Sequence, residues 1–137
     1  MKKILFSLGF IFLSTLMMAQ SSDRAALVDQ AVKKAGIIYH LNAAQKAEMK
    51  VIAARELRNL DEIESLKTTD AKKYLIKKKG IMLASEGSLK RLLVGDQLKI
   101  LNDQKVARRK KESALIKEMK VAGLTKEEME LKLLETY

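Results

Sequence analysis

The stretch HLNAAQKAEM, residues 40–49, predicts where a helix begins and therefore how the chain is divided. Asn42 is a favoured helix cap, and Gln45 stands three residues after it. The Asn42 side chain can accept the backbone N–H of Gln45, while the Gln45 side chain reaches back to the N–H of Asn42. Such a reciprocal capping box fixes the first turn, and losing a cap typically costs about 1 kcal/mol.

The pattern recurs in two weaker or altered forms. Thr125 and Glu128 repeat the capping chemistry before a short last helix. In LVGDQ, residues 93–97, Leu93 and Gln97 stand 52 positions after Leu41 and Gln45, but Val94 cannot cap. The break there is therefore weak, and a helix that runs through it is the alternative.

With these caps and breaks, the sequence predicts helices over about 22–36, 42–66, 71–93 and 95–122, followed by a short helix after Thr125. Gly36 and Gly123 are expected as helix stops. The sequence contains no Pro that would break long helices, and it has no Asn-Gly or Asp-Gly hairpin signal. The fold class predicted is all-α, with about four long helices plus a short C-terminal helix.

The first residues predict export. Lys2 and Lys3 precede an apolar run over residues 4–18, and MAQSSD follows. This is the composition of a secretory signal peptide, with cleavage expected after Ala19. The run is shorter than the roughly 20 residues that a membrane-spanning helix needs. We therefore expect residues 1–19 to be a signal peptide, residues 20–137 to be a single domain, and the location to be periplasmic.

The predicted mature chain has a thin, aliphatic core. Every Phe lies before residue 19, the sequence has no Trp, and only three Tyr remain. Because aromatic rings supply much of the burial in compact cores, we expect a thin bundle joined by Leu, Ile, Val, Ala and Met. Leu75, Met82 and Leu89 recur every seven residues, which favours a partner helix and, with so thin a core, a homodimer.

Positive charge is concentrated in the middle of the chain. Residues 70–111 carry 13 basic and 4 acidic groups, whereas residues 112–137 carry 4 and 6. A solvated surface and a surface for an acidic partner both explain such an excess.

The two leucine pentads at residues 41–45 and 93–97, in a cysteine-free, basic, helical chain with an export signal, resemble the Spy and CpxP family of periplasmic proteins and its degenerate LTxxQ motif. The resemblance extends over about residues 36–122. It departs from the family pattern at Asn42 and Val94, which stand where the motif has Thr. The resemblance implies a four-helix chain that pairs into a curved, thin, antiparallel dimer with a basic concave surface.

The resemblance also implies a function, namely ATP-independent holding of unfolded envelope proteins. The alternative that it leaves open is a regulatory protein that binds an envelope-stress sensor or a sigma-factor signalling system. The motif positions Leu41, Asn42, Gln45, Leu93 and Gln97 would fix helix starts. Cations on the third and fourth helices are the predicted client or partner contacts, because lysine and arginine stems cover apolar segments while their charges stay hydrated. These residues are Lys72, Lys73, Lys77, Lys78, Lys79, Lys105, Arg108, Arg109, Lys110 and Lys111.

Other chemistries have less support in the sequence. His40 is the only histidine, so a multi-histidine metal site is excluded, and no nucleophile and base pattern stands out. We predict no enzyme activity and no cofactor. The basic run over residues 105–111 has no interleaved aromatic residue for stacking on bases, so nucleic acid is not an expected partner. A weak contact with an anionic membrane surface remains an alternative.

Overall fold

The computed structural model describes residues 21–137, and within that range the chain is helical without any strand. The six helices are α1 (Ser21–Tyr39), α2 (Ala43–Glu62), α3 (Leu66–Thr69), α4 (Ala71–Leu92), α5 (Asp96–Val121) and α6 (Lys126–Leu134). The all-α prediction is therefore confirmed over these residues. The predicted signal peptide, residues 1–19, lies outside them.

Helix α1 packs along α2, and α2 packs along α4. Ion pairs between Arg24 and Asp61 and between Lys50 and Asp29 place α1 antiparallel to α2. Helix α1 turns small residues toward this interface, since Val28, Ala31 and Ala35 are buried at helical spacing. Small side chains let the two helix axes approach closely.

The buried core lies among α1, α2, the end of α4 and the start of α5. Tyr39 is its largest fully buried side chain, and the remaining members are aliphatic residues and Met49. The predicted heptad position Leu89 belongs to this cluster, while Leu75 and Met82 are half-buried. Part of the stripe that suggested a partner helix is therefore used within the chain.

The end of α1 differs from the prediction because Gly36 does not stop it. The helix continues to Tyr39, and His40 takes the left-handed conformation with φ 53°. The N–H of Leu41 donates to the carbonyl of Gly36, five residues back, at 3.2 Å. This is the Schellman arrangement, with His40 in the position that glycine usually holds. Gly123 holds that position after α5, as predicted, with φ 75° and a bond from Leu124 to Met119.

The end of the second helix also differs from the prediction. Helix α2 ends at Glu62, and a separate four-residue helix α3 follows before Asp70 caps α4. The predicted break within LVGDQ is present, because α4 ends at Leu92 and α5 begins at Asp96, so the alternative of one continuous helix is wrong. Gly95 makes the break with φ 52° and ψ −127°, a conformation that only glycine adopts without strain.

Candidate functional site

The first candidate feature is the junction at which the two leucine pentads meet. Asn42 caps α2 as predicted: its side chain accepts the N–H of Gln45 at 2.9 Å, and Gln45 Oε1 accepts the N–H of Asn42 at 3.1 Å. In the second pentad Gln97 Oε1 accepts the N–H of Val94 at 3.1 Å, although Val94 supplies no cap. Half of the capping box thus persists where the sequence lacks a capping residue.

The two glutamines also bind each other, although 52 residues separate them. Gln45 Nε2 donates to Gln97 Oε1 at 2.8 Å, and Gln97 Nε2 donates to Gln45 Oε1 at 3.0 Å. Each amide then reaches the turn before the other pentad, since Gln45 donates to the carbonyl of Leu92 and Gln97 to that of His40. The arrangement is a near two-fold exchange that ties the α1–α2 turn to the α4–α5 turn.

The leucines of the two pentads, Leu41 and Leu93, are both buried in the core beneath this glutamine pair. The pentads therefore act together as one tertiary junction rather than as two separate helix starts. The third box stands apart from the junction: Thr125 and Glu128 cap α6 by the predicted reciprocal bonds.

The second candidate feature is the basic surface of α4 and α5, and several of its predicted cations have partners within the chain. Lys105 and Arg108 each lie 2.8 Å from a carboxylate oxygen of Glu86, which is buried on α4. Burial raises the pKa of Glu86, but the hydrogen bonds from Arg108 and Lys105 outweigh it and hold the pKa below its usual value. These two cations bridge α4 and α5.

Two more predicted cations contact residues near the C-terminal end of the sequence. Lys72 Nζ lies 3.6 Å from Glu130 on α6, and Lys79 Nζ lies 4.6 Å from the centre of the Tyr137 ring. Arg108 also faces that ring, at 5.5 Å from its centre. Lys78 is half-buried, and burial followed by the charge of Lys67 lowers its pKa.

The remaining predicted cations are exposed, namely Lys73, Lys77, Arg109, Lys110 and Lys111. Exposed aliphatic side chains accompany them: Ile76 is 49% exposed and Leu83 is 40% exposed on α4, and Val106 is exposed on α5. At 100° per residue, Ile76, Gly80, Leu83 and Gly87 lie within a narrow arc of α4. We name these four residues the α4 outer stripe; Lys73 and Lys77 lie along one side of it.

Sequence reasoning missed a buried carboxyl group between α2 and α4. Glu56 is 1% exposed and forms a hydrogen bond with Ser85 of α4, while its Oε1 has no hydrogen-bond partner among the described residues. Burial raises the pKa of Glu56 to about 7, against the opposing effects of Ser85 and the charge of Arg55. Its place among Met49, Ile52 and Leu57 was the available signal, since these residues share one helical face.

Tyr39 is a second buried polar residue that the sequence did not reveal. Its hydroxyl donates to Gln104 Oε1 on α5 at 2.6 Å. Burial and the charge of Glu86 raise the pKa of Tyr39 to about 12, against the effect of the bond to Gln104. The hydroxyl therefore remains a donor and links the end of α1 to α5.

Over residues 21–137, no group of three or more His, Cys, Asp and Glu side chains is placed to hold a metal ion. His40 is exposed, and its backbone carbonyl serves the glutamine junction. None of the helices in the described range has both the length and the apolar character needed to cross a membrane.

Comparison with known proteins returned no match to a family model, to a curated protein or to a solved structure.

Proposed function

We propose that this protein is an exported, periplasmic, ATP-independent holdase that binds unfolded envelope proteins. The observation that carries the proposal is the α4 outer stripe, where Ile76 and Leu83 are exposed one heptad apart beside Lys73 and Lys77. Exposed aliphatic groups can bind apolar segments of an unfolded chain, and the neighbouring ammonium groups attract its carboxylates. ATP has no role in such binding.

The distribution of exposed aliphatic residues supports clients over a single shaped partner. Large aliphatic residues are also exposed outside the α4 outer stripe. They are Ile37 on α1, Val51 on α2, Val94 in the turn before α5, and Val106 and Val121 on α5. A dispersed aliphatic and cationic surface suits many weak contacts. The regulatory alternative would be favoured by a single concave apolar patch.

The direct test measures light scattering from a chemically unfolded client diluted into buffer without ATP. The wild-type chain at equimolar concentration should suppress scattering. The double variant Ile76→Ser, Leu83→Ser should suppress it less. A matched double variant at exposed positions of α1 and α2, Ile37→Ser and Val51→Ser, should lose less suppression than the α4 double variant does. Unchanged aggregation with the wild-type chain would oppose the holdase proposal.

The cationic contribution has its own matched pair of variants. Replacing Lys73 and Lys77 by Gln removes two charges beside the α4 outer stripe, and replacing the exposed Lys33 and Lys34 of α1 removes the same charge elsewhere. Only the first pair should slow client capture, and that effect should shrink at high salt because exposed charges are screened over about 8–10 Å at physiological ionic strength. Equal effects of both pairs would indicate that only net charge matters.

The antiparallel homodimer stays a prediction. Leu89, one of the heptad residues on which it rested, is buried within the chain, so the exposed aliphatic face left on α4 is the α4 outer stripe. A second copy that bound there would compete with clients for it. A solution mass measurement tests it: a mass of one chain at micromolar concentration would contradict the dimer. The same sample with Leu83→Ser would show whether that stripe is the contact.

A further inference from the structure

Helix α6 lies against both α4 and α5 and covers one edge of their basic surface. Residues 126–137 carry Glu127, Glu128, Glu130 and Glu135 against only two lysines. Three of the predicted partner-binding cations contact this segment. Lys72 pairs with Glu130, and Lys79 and Arg108 lie over the ring of Tyr137. Through Glu130 the segment supplies one acidic contact to this basic surface from within the chain.

The contact has the chemistry of a recognition site. The Lys79 ammonium and the Arg108 guanidinium both lie over the Tyr137 ring, at 4.6 and 5.5 Å from its centre, and the Tyr137 hydroxyl donates to Glu112 Oε1 at 3.0 Å. Cations over an aromatic face are attracted by its negative potential. Leu134, only 5% exposed, supplies the buried apolar anchor of α6. Together with the Lys72–Glu130 pair, α4 and α5 therefore hold an aromatic ring, a carboxylate and an aliphatic side chain of residues 126–137.

The segment is also weakly held. Its nine-residue helix is shorter than the roughly 12–15 residues at which isolated helices become even marginally stable in water. The Lys72–Glu130 pair is exposed on both sides, and exposed pairs contribute little to stability. Leu134 lies outside the main buried cluster of α1, α2, α4 and α5. Local opening of α6 should therefore require less free energy than global unfolding.

From these observations we infer that α6 with Tyr137 is a displaceable internal occupant of a binding site on α4 and α5. The external ligand of that site is a protein segment of the same chemistry, an acidic amphipathic helix followed closely by an aromatic residue. Binding of such a segment requires release of α6, so α6 lowers the apparent affinity for partners. This inference goes beyond the proposed function, because its site differs from the α4 outer stripe and has its own partner chemistry and means of regulation.

The test uses the full chain and a fluorescein-labelled peptide of residues 124–137. In the double variant Leu134→Ser, Tyr137→Ala the internal segment loses its anchor and its ring, so the site becomes free. Because apparent affinity scales with the fraction of competent molecules, the peptide should bind this variant at least about tenfold more tightly than the wild-type chain. A peptide with the same two substitutions should bind neither protein. The control is the full chain with Glu135→Gln, an exposed change on the same segment, which should bind the unsubstituted peptide with the affinity of the wild-type chain.

Equal peptide affinity for wild type and variant, or no binding to either, would overturn the inference. Hydrogen exchange on the wild-type chain supplies a second measurement that needs no variant. The amides of α6 should exchange by local opening, faster than those of α2, and protection of α6 equal to that of α2 would also overturn it. Neither measurement involves client aggregation, so failure of the holdase proposal remains distinguishable.

Discussion

Replacing Glu56 by Gln should change how stability depends on pH. The carboxyl group is buried between α2 and α4 with one oxygen unpaired, and its pKa rises from 4.5 to about 7 on folding. A group that holds its proton more tightly in the folded state favours folding while it is protonated. Its contribution is complete below pH 4.5 and is lost as the pH rises through about 7.

The size of the effect follows from the pKa difference. One pKa unit corresponds to about 1.4 kcal/mol, so the ionised carboxylate should destabilise the folded chain by about 3 kcal/mol above pH 7. Glutamine has the same shape and cannot ionise. The Glu56→Gln variant should therefore match wild type near pH 4.5 and be more stable by up to about 3 kcal/mol at pH 8. A small domain is stable by only about 5–15 kcal/mol, so this difference is easy to measure.

Urea unfolding followed by circular dichroism at pH 4.5, 6 and 8 measures the difference directly. Glu48→Gln is the matched control, because Glu48 is exposed on the same helix and the change in charge is the same. The control should keep the slope of wild type between pH 4.5 and 8. If the difference between wild type and Glu56→Gln stays constant across that range, the reasoning about the buried carboxyl group is refuted.

Three further predictions concern the turns. A double-mutant cycle on Gln45→Ala and Gln97→Ala should give a coupling of about 0.5–3 kcal/mol in urea unfolding, because either single change leaves the other amide without its partner; additive losses would contradict the paired geometry. Gly95→Ala should lower the melting temperature by an amount equivalent to about 1–2 kcal/mol, because Gly95 has a positive φ. Gly80→Ala is the contrasting change within a helix: a Cβ there meets open space, so the free energy of unfolding should rise by about 1 kcal/mol. His40→Gly should stabilise the chain by up to about 1 kcal/mol, since glycine adopts the left-handed turn without steric cost; a loss would show that the histidine side chain contributes contacts of its own.

The end of α1 shows why local signals can mislead. A glycine such as Gly36 often ends a helix, yet here it lies on the α1–α2 interface, where an added Cβ would come within 3.1 Å of the Lys46 side chain. The helix continues to Tyr39 because that residue is buried in the core and bonds to Gln104. Packing of a large aromatic residue outweighs the modest cost of a glycine inside a helix.

The basic surface shows a similar limit. The excess of lysine and arginine over residues 70–111 is visible in the sequence, but which cations stay exposed is not. Lys105, Arg108 and Arg109 are basic residues that lie close together on α5. The first two bind Glu86, yet Arg109 is exposed. The distinction depends on where α5 lies relative to α4, which no local pattern encodes.

The sequence by itself determined the helical class, most helix boundaries, and the caps at Asn42 and Thr125. These features rest on hydrogen bonds that span three to five residues and on apolar periodicity, so neighbouring residues are sufficient to specify them. The tertiary structure alone decided that Gln45 binds Gln97, that Glu56 is buried, and that α6 covers part of the basic surface. Each of these joins groups far apart in the chain, and their free energies depend on burial and proximity that arise only when the helices pack.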